Sequence, residues 1–276
     1  MAESPELPAR YRLLSEIGAG AYATVWRAVD QHRRQIVAIK VLHLDAMSEE
    51  DRRRFAQEAQ ILLTLRHPAL VEIYESGVAA SGSPYLVMEL VQGVNLRERL
   101  NRERLPRRQV RHIIEQLCGA LVEAHVAGVV HRDVKPENVV LGGRDEQIVK
   151  LVDFGTAKRL DAAAPVLTFD DKILGTPQYM APERASGRPV GGAADVYAVA
   201  VMAYEMLTGR LPFDGTTALQ VVTQHLRDQP PPMRGVTAEV EQAVLWGMHK
   251  DPRARPSAEQ LAERLCRALE ARLEAG

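Results

Sequence analysis

Cysteine is nearly absent. Cys118 and Cys266 are the only two in 276 residues, too few for a disulfide framework, which fits a reducing compartment. Net charge is nearly absent as well: 35 Lys+Arg stand against 36 Asp+Glu, leaving −1 and a pI near 6.7. The basic excess expected of a dedicated nucleic-acid binder is therefore missing. The N-terminal MAESPELPAR has no basic stretch followed by an apolar one, so it does not read as a secretory signal. The longest apolar run, around Ala193–Leu207, carries Asp195 and Glu205 and falls short of a bilayer span. No internal repeat or low-complexity tract is present. What is there is a globular balance, 46% hydrophobic and 26% charged, sufficient for a sizeable core and unlike a disordered chain. A soluble, cytoplasmic protein is the expectation.

The periodicity changes along the chain. Short β-rich runs occupy Tyr11–Ile17, Thr24–Val29, Ile36–Leu42, Leu70–Gly77 and Tyr85–Leu90, interrupted by one helical pattern over Ser48–Leu65. Ser48 with Asp51 three residues later predicts a capping box, and His67-Pro68 closes the element. Beyond Gly93 the pattern is mostly helical: Leu96–Asn101, Arg107–Ala127, Ala193–Leu207, Thr217–Arg227, Ala238–Met248 and Ser257–Leu273. Pro230-Pro231-Pro232 separates two of these helices. A strand-rich third followed by a helix-rich remainder predicts an α+β fold in two lobes, with a hinge in Glu89–Asn95.

Three features point to chemistry. Gly18-Ala19-Gly20 sits between two strand-like runs, where a tight turn can bring backbone N–H groups near phosphate oxygens. No helix follows, so a dinucleotide-binding turn is disfavoured, and a phosphate lid competes with an ordinary hairpin. Lys40 lies inside the apolar strand Ile36–Leu42, and Glu58 lies on the helix face of Phe55, Ile61, Leu62 and Leu65. A buried charge needs a partner, so either the two meet or each reaches solvent from its element's shoulder. The third feature is an ordered set: His131-Arg132-Asp133-Val134-Lys135-Pro136-Glu137-Asn138, then Asp153-Phe154-Gly155 after the strand-like Val149–Val152. Asn138 and Asp153 offer hard oxygen ligands suited to Mg²⁺ bound with phosphates, with Asp133 and Lys135 as a base and a point charge beside them.

With Val37-Ala38-Ile39-Lys40, Ala181-Pro182-Glu183, Asp195 and Arg255 in the same order, the chain resembles the eukaryotic-type Ser/Thr protein kinases, particularly the bacterial kind. The resemblance covers residues 11–269: an N-lobe over 11–88, the hinge over 89–95 and a C-lobe over 96–269, with terminal extensions at 1–10 and 270–276. It implies a β-rich N-lobe with one helix and a mostly α-helical C-lobe. It implies ATP-dependent transfer of phosphate to Ser/Thr of proteins, with Mg²⁺ as the ion and Mn²⁺ as its alternative. Lys40 would contact the α- and β-phosphates and be held by Glu58. Asn138 and Asp153 would hold the metal, Asp133 would accept the substrate proton, and Lys135 would steady the γ-phosphate. Thr176 would pair with Asp133 and Lys135. Ile17, Gly18, Gly20, Val25, Ala38 and Val140 would line the nucleotide site, Met88 would gate it, and backbone groups of Glu89 and Val91 would read adenine.

Regulation is expected at Thr168, the only hydroxyl residue between Lys158 and Gly175, whose phosphate would pair with Arg132. Asp170 and Asp171 follow it and read as solvated loop charges, with partial pre-emption of the switch as the alternative. The place of a third loop glycine is taken by Ala23. Arg52-Arg53-Arg54 and Arg107-Arg108 with Arg111 read as solvated helix faces, with basic docking patches as the alternative. His131 reads as a core residue beneath Phe154, and Asp195 as a helix N-cap, a clamp on the catalytic-loop backbone, or both. Relatives often dimerise through their N-lobes and often continue into a membrane span and a sensor domain. The rival readings are a nucleotide-binding scaffold without activity, which the intact charged set disfavours, and a small-molecule phosphotransferase, which Thr176–Glu183 disfavours.

Overall fold

Strands rich in Val, Ile and Tyr build an antiparallel sheet in the order β1-β2-β3-β5-β4: β1 (Tyr11–Ala19), β2 (Ala23–Asp30), β3 (Gln35–Leu42), β4 (Ile73–Val78) and β5 (Pro84–Glu89). The computed structural model describes residues 5–44, 47–154 and 177–271. They fall into two compact units, one drawn from residues 5–44, 47–66 and 70–92, the other from 67–69, 93–154 and 177–271. In the first unit, Val37, Ile39 and Val41 of β3 join Tyr85 and Val87 of β5 and Ala28 of β2 in one buried cluster. That cluster takes one face of the sheet, so by alternation Ala38 and Lys40 belong to the other.

Helix α1 (Glu49–Leu62) starts at the capping box read from sequence. The Asp51 N–H donates to Ser48 Oγ at 3.2 Å and the Ser48 N–H donates to Asp51 Oδ2 at 3.0 Å. The helix stops three residues before the expected end, and β4 begins at Ile73 instead of Leu70. Leu70, in an isolated β-bridge, and Val71 are buried between them. An apolar run marks burial, and only ladder partners turn it into a strand.

The second unit holds a small antiparallel sheet, β6 (Gly93–Asn95), β7 (Val139–Gly142) and β8 (Ile148–Leu151), and the helices α2 (Leu96–Arg102), α3 (Arg107–Val126), α4 (Pro182–Ala185), α5 (Gly192–Thr208), α6 (Ala218–Arg227), α7 (Ala238–Gly247) and α8 (Ala258–Glu270). β6 carries no strand signal in the sequence: Gly93, expected as a hinge glycine, lies in a ladder against Gly142. A Cβ there would stand 2.2 Å from the Leu141 carbonyl oxygen, so close strand approach requires glycine. α5 is buried on nearly every side and packs against α3 and α7. The three prolines lie between α6 and α7, as expected. Among the described residues no helix is long and apolar enough to cross a membrane.

Inside this unit His225 of α6 is fully buried, with Tyr197 Oη 2.8 Å from its Nδ1 and the Phe213 ring edge-on at 4.8 Å. Burial, reinforced by the Lys250 ammonium, pushes its pKa from 6.5 to about 3. The folded protein therefore keeps the ring neutral while the unfolded chain takes up a proton below pH 6.5, so this contribution is intact above pH 6.5 and fades as pH falls toward about 3. His225→Gln is expected to remove up to about 1.4 kcal/mol per pH unit from the acid side of the stability profile. Thermal melts at stepped pH would read this, and an unchanged slope would refute it.

Candidate active site

The β7–β8 hairpin sets the spacing of the two proposed metal ligands. Val139 pairs with Leu151, and the Val152 N–H donates to the Asn138 carbonyl at 2.9 Å, so Asn138 and Asp153 leave the same end of the hairpin. Asn138 is oriented by its own loop: its Nδ2 donates to the Asp133 carbonyl at 2.8 Å and to Asp133 Oδ2 at 3.0 Å. With the amide nitrogen so engaged, Oδ1 is the atom left to meet a cation. Lys135 Nζ lies 3.0 Å from Asp133 Oδ2. Asp133, Lys135, Tyr179 and Arg184 line one small cleft.

The loop carrying Asp133 is held under strain. Arg132 has φ 63° and Asp153 φ 61°, left-handed values that cost a non-glycine residue about 1–3 kcal/mol. The buried Asp195 carboxylate opposes that cost, accepting the His131 N–H on Oδ2 and the Arg132 N–H on Oδ1, each at 2.8 Å. His125 Nε2 adds a contact to Oδ2 at 2.9 Å, and Arg184 donates to the Arg132 carbonyl. Of the roles considered for Asp195 the clamp is observed and the N-cap is not, since that position falls to Gly191. His131 is fully buried, its ring 4.7 Å from Phe154. Its Nε2–H donates to the Val152 carbonyl at 3.0 Å and its Nδ1 accepts the Asp133 N–H at 3.3 Å, a neutral tautomer consistent with burial lowering its pKa.

In the first unit, strand register gathers the nucleotide-site candidates on one sheet face. Gly18 opposes Val25, Val25 opposes Lys40, and Ala38 opposes Met88. Neither Gly18 nor Gly20 is required by its surroundings: a Cβ would meet only ordinary contacts, 3.9 Å from Val25 and 3.7 Å from the Ala23 carbonyl oxygen. Ala23 sits in regular pairing with Leu42, so its methyl leaves the loop undistorted. The Glu89 N–H is bonded to the Glu72 carbonyl at 2.9 Å. Ile17 is exposed, Val91 is half-buried in this unit, and Val140 is half-buried on β7 of the second.

The expected Lys40–Glu58 pair is not formed. Both residues are buried, yet no ion pair joins them among the described residues, and Glu58 Oε2 has no hydrogen-bond partner. Packing of Phe55, Ala59 and Leu62 sets which way α1 faces and buries Glu58 without bringing it to the lysine. Thr168 and Thr176 lie outside the described residues.

Sequence reasoning also leaves Arg97 and Glu205 without roles. Arg97 donates to Glu205 Oε1 at 2.6 Å, to Glu137 Oε1 at 3.2 Å and to the Tyr179 hydroxyl, which itself donates to Glu205. Arg255 and Glu183 form a buried bidentate pair, both contacts 2.7 Å. The legible signal is Glu205, with Asp195 one of two carboxylates within the apolar stretch of α5; its partners are distant in sequence.

Residues 11–265 match the family described as protein kinase domain. The Ser/Thr protein kinase pkn3 of Myxococcus xanthus is 36% identical over 260 residues, 90% of this chain and 48% of that protein. PknA of Mycobacterium tuberculosis is 42% identical over 233 residues, 82% of this chain and 53% of that protein. The chain thus spans about half the length of these curated relatives. The solved PknI kinase domain of M. tuberculosis superposes with TM-score 0.74 at 28% identity, covering 97% of this chain and 100% of that one. Rad53 1–466, solved in complex with AMP-PNP, gives TM-score 0.78 at 25% identity over 93% of this chain and 65% of that one. A strained loop clamped around Asp133 and a family match spanning almost the whole chain agree: this chain belongs to the protein kinase domain family, in its bacterial Ser/Thr type.

Proposed function

We propose that this chain binds Mg²⁺–ATP and transfers the γ-phosphoryl group to Ser or Thr hydroxyls of proteins, its own Thr168 included. The carrying observation is the catalytic loop, where Lys135 and Asn138 each contact Asp133 Oδ2 at 3.0 Å and Asp195 braces the backbone. The acceptor oxygen would bond to the γ-phosphorus as the bond to the β–γ bridging oxygen breaks, ADP leaving and the hydroxyl proton passing to Asp133. Lys135, now on Asp133, would move to the γ-phosphate, and Arg132 would receive the Thr168 phosphate. Among the described residues no cluster of three or more His, Cys, Asp or Glu forms a metal cage. One carboxylate, Asp153, and one amide, Asn138, fit an ion whose shell phosphate oxygens complete, Mg²⁺ or Mn²⁺. When bound, that ion neutralises phosphate charge. That Rad53 was solved in complex with AMP-PNP supports nucleotide binding by a chain of this fold. The unsatisfied Glu58 Oε2 is the atom that pairing with Lys40 would satisfy. Two free buried cysteines support a reducing compartment such as the cytoplasm, and a homodimer through the first unit rests on the resemblance alone.

The test is mass spectrometry of wild type and Asp133→Asn after incubation with Mg²⁺–ATP. Phosphate on Thr168 in wild type alone supports the reading, and ATP binding without phosphate transfer overturns it. The glycine observation yields a separate expectation. Gly20→Ala meets no steric conflict, so its stability is expected to stay within about 0.5 kcal/mol of wild type while its KM for ATP rises. A drop in stability without a change in KM would make the glycine structural.

A further inference from the structure

The two arginine clusters, alike in sequence, differ in the folded chain. Arg52, Arg53 and Arg54 each pair with Glu49 or Glu50 on their own helix, and Arg111 pairs with Glu270. Arg107 and Arg108 pair with no carboxylate among the described residues, and neither do Arg102, Arg104, Arg210 and Arg234. Two hydrogen bonds bring the three segments that carry these six together at one end of the unit. Arg107 donates to the Gly235 carbonyl at 2.6 Å, beside Arg234, and Arg104 donates to the Thr208 carbonyl at 3.3 Å, two residues from Arg210. Arg107 is half-buried and the other five are exposed. Of the nearby carboxylates, Glu103 pairs with Arg99, Glu241 accepts the Met233 N–H and Glu98 accepts from Asn95 Nδ2, while exposed Glu239 has no ion pair among the described residues. α3 begins on this face with no acidic residue in its first turn and no side-chain cap, so its dipole adds to the positive field.

The face is remote from the catalytic loop. Asp195, near the start of α5, grips that loop, whereas Thr208 ends the helix; α3 runs from Arg107 to Val126, just before the loop. At 1.5 Å per residue the separation is about 20–30 Å.

We propose that this end face docks an acidic segment of a protein. Guanidinium forks engage carboxylates in pairs, and six uncompensated ones at this end supply the complementary charge. Nucleic acid is disfavoured because residues 101–108, 208–211 and 230–235 contain no aromatic ring on which a base could stack, and the chain as a whole carries −1. A lipid surface is disfavoured because none of the exposed large hydrophobics belongs to these segments. Docking would raise the effective concentration of an acceptor hydroxyl on the same protein, a gain that rests on the kinase reading, whereas binding itself does not.

The test is fluorescence anisotropy of a labelled oligo-glutamate peptide lacking Ser, Thr and Tyr, titrated with the full chain. A variant carrying Arg102→Gln, Arg108→Gln, Arg210→Gln and Arg234→Gln removes four side chains that make no ion pair or side-chain hydrogen bond among the described residues. Wild type is expected to bind with an affinity that falls steeply with added salt, and the variant to bind about tenfold or more weakly with an unchanged melting curve. Equal affinity of both forms, or wild-type binding no better than to an uncharged peptide, overturns the proposal. So does variant-sensitive binding of single-stranded oligonucleotide or phosphatidylserine vesicles without peptide binding. An acceptor-free peptide separates failure of docking from failure of catalysis.

Discussion

Asp133→Asn is expected to lower kcat for phosphotransfer by about 10²–10⁴ while leaving the KM for ATP nearly unchanged. The amide matches the carboxylate in shape but cannot take the substrate proton. Asn138 keeps both acceptors it now uses, the Asp133 carbonyl and the side-chain oxygen, at 2.8 and 3.0 Å. The loop keeps its clamp, because Asp195 grips the backbone of His131 and Arg132 and not the Asp133 side chain. What is lost is the proton acceptor of the proposed mechanism, together with the charge facing Lys135 at 3.0 Å. A coupled ADP-release assay at saturating ATP reads the effect. A fall in kcat of less than about tenfold would remove Asp133 from the proton-accepting role.

Arg255→Ala is expected to cost about 3–5 kcal/mol and to lower the melting temperature by roughly 10 °C. Glu183 is 2% exposed and Arg255 fully enclosed, so truncating the arginine strands a buried carboxylate. The guanidinium also donates to the carbonyls of Ala193 at 2.8 Å and His249 at 2.7 Å, and stacks 4.8 Å over the Tyr197 ring. Arg255→Lys offers one point charge where two parallel bonds are needed and is expected to recover only part of the loss. The double variant Arg255→Met with Glu183→Leu is expected to melt above Arg255→Ala, since removing both charges leaves neither uncompensated in the interior. Melting curves within about 1 kcal/mol of wild type for Arg255→Ala would show the pair to be dispensable.

Much of this was legible in local pattern. The Ser48 capping box, the strand of alternating faces around Lys40 and the long helix of Arg107 all follow from spacing, because a helix or strand imposes its period on the residues that form it. The boundary of β4 was not legible, since Leu70 and Val71 are buried without extending the β4–β5 pairing, which starts at Ile73. Nor was β6, whose residues pair with β7 far along the chain, as Val94 does with Leu141.

The sequence by itself determined the chemistry available: which acids, bases and amides exist, in what order, and on which kind of element. Those are properties of residue type and short-range spacing. Only the tertiary structure decided the partners. Asp195 meets His131 across 64 positions, Arg255 meets Glu183 across 72, and Arg97 meets Glu205 across 108. Glu58 is buried without closing on Lys40, and two arginine clusters of similar appearance became one neutralised helix face and one uncompensated end face. Burial and charge pairing depend on which distant segment arrives beside a side chain, and the packing of whole elements sets that arrival.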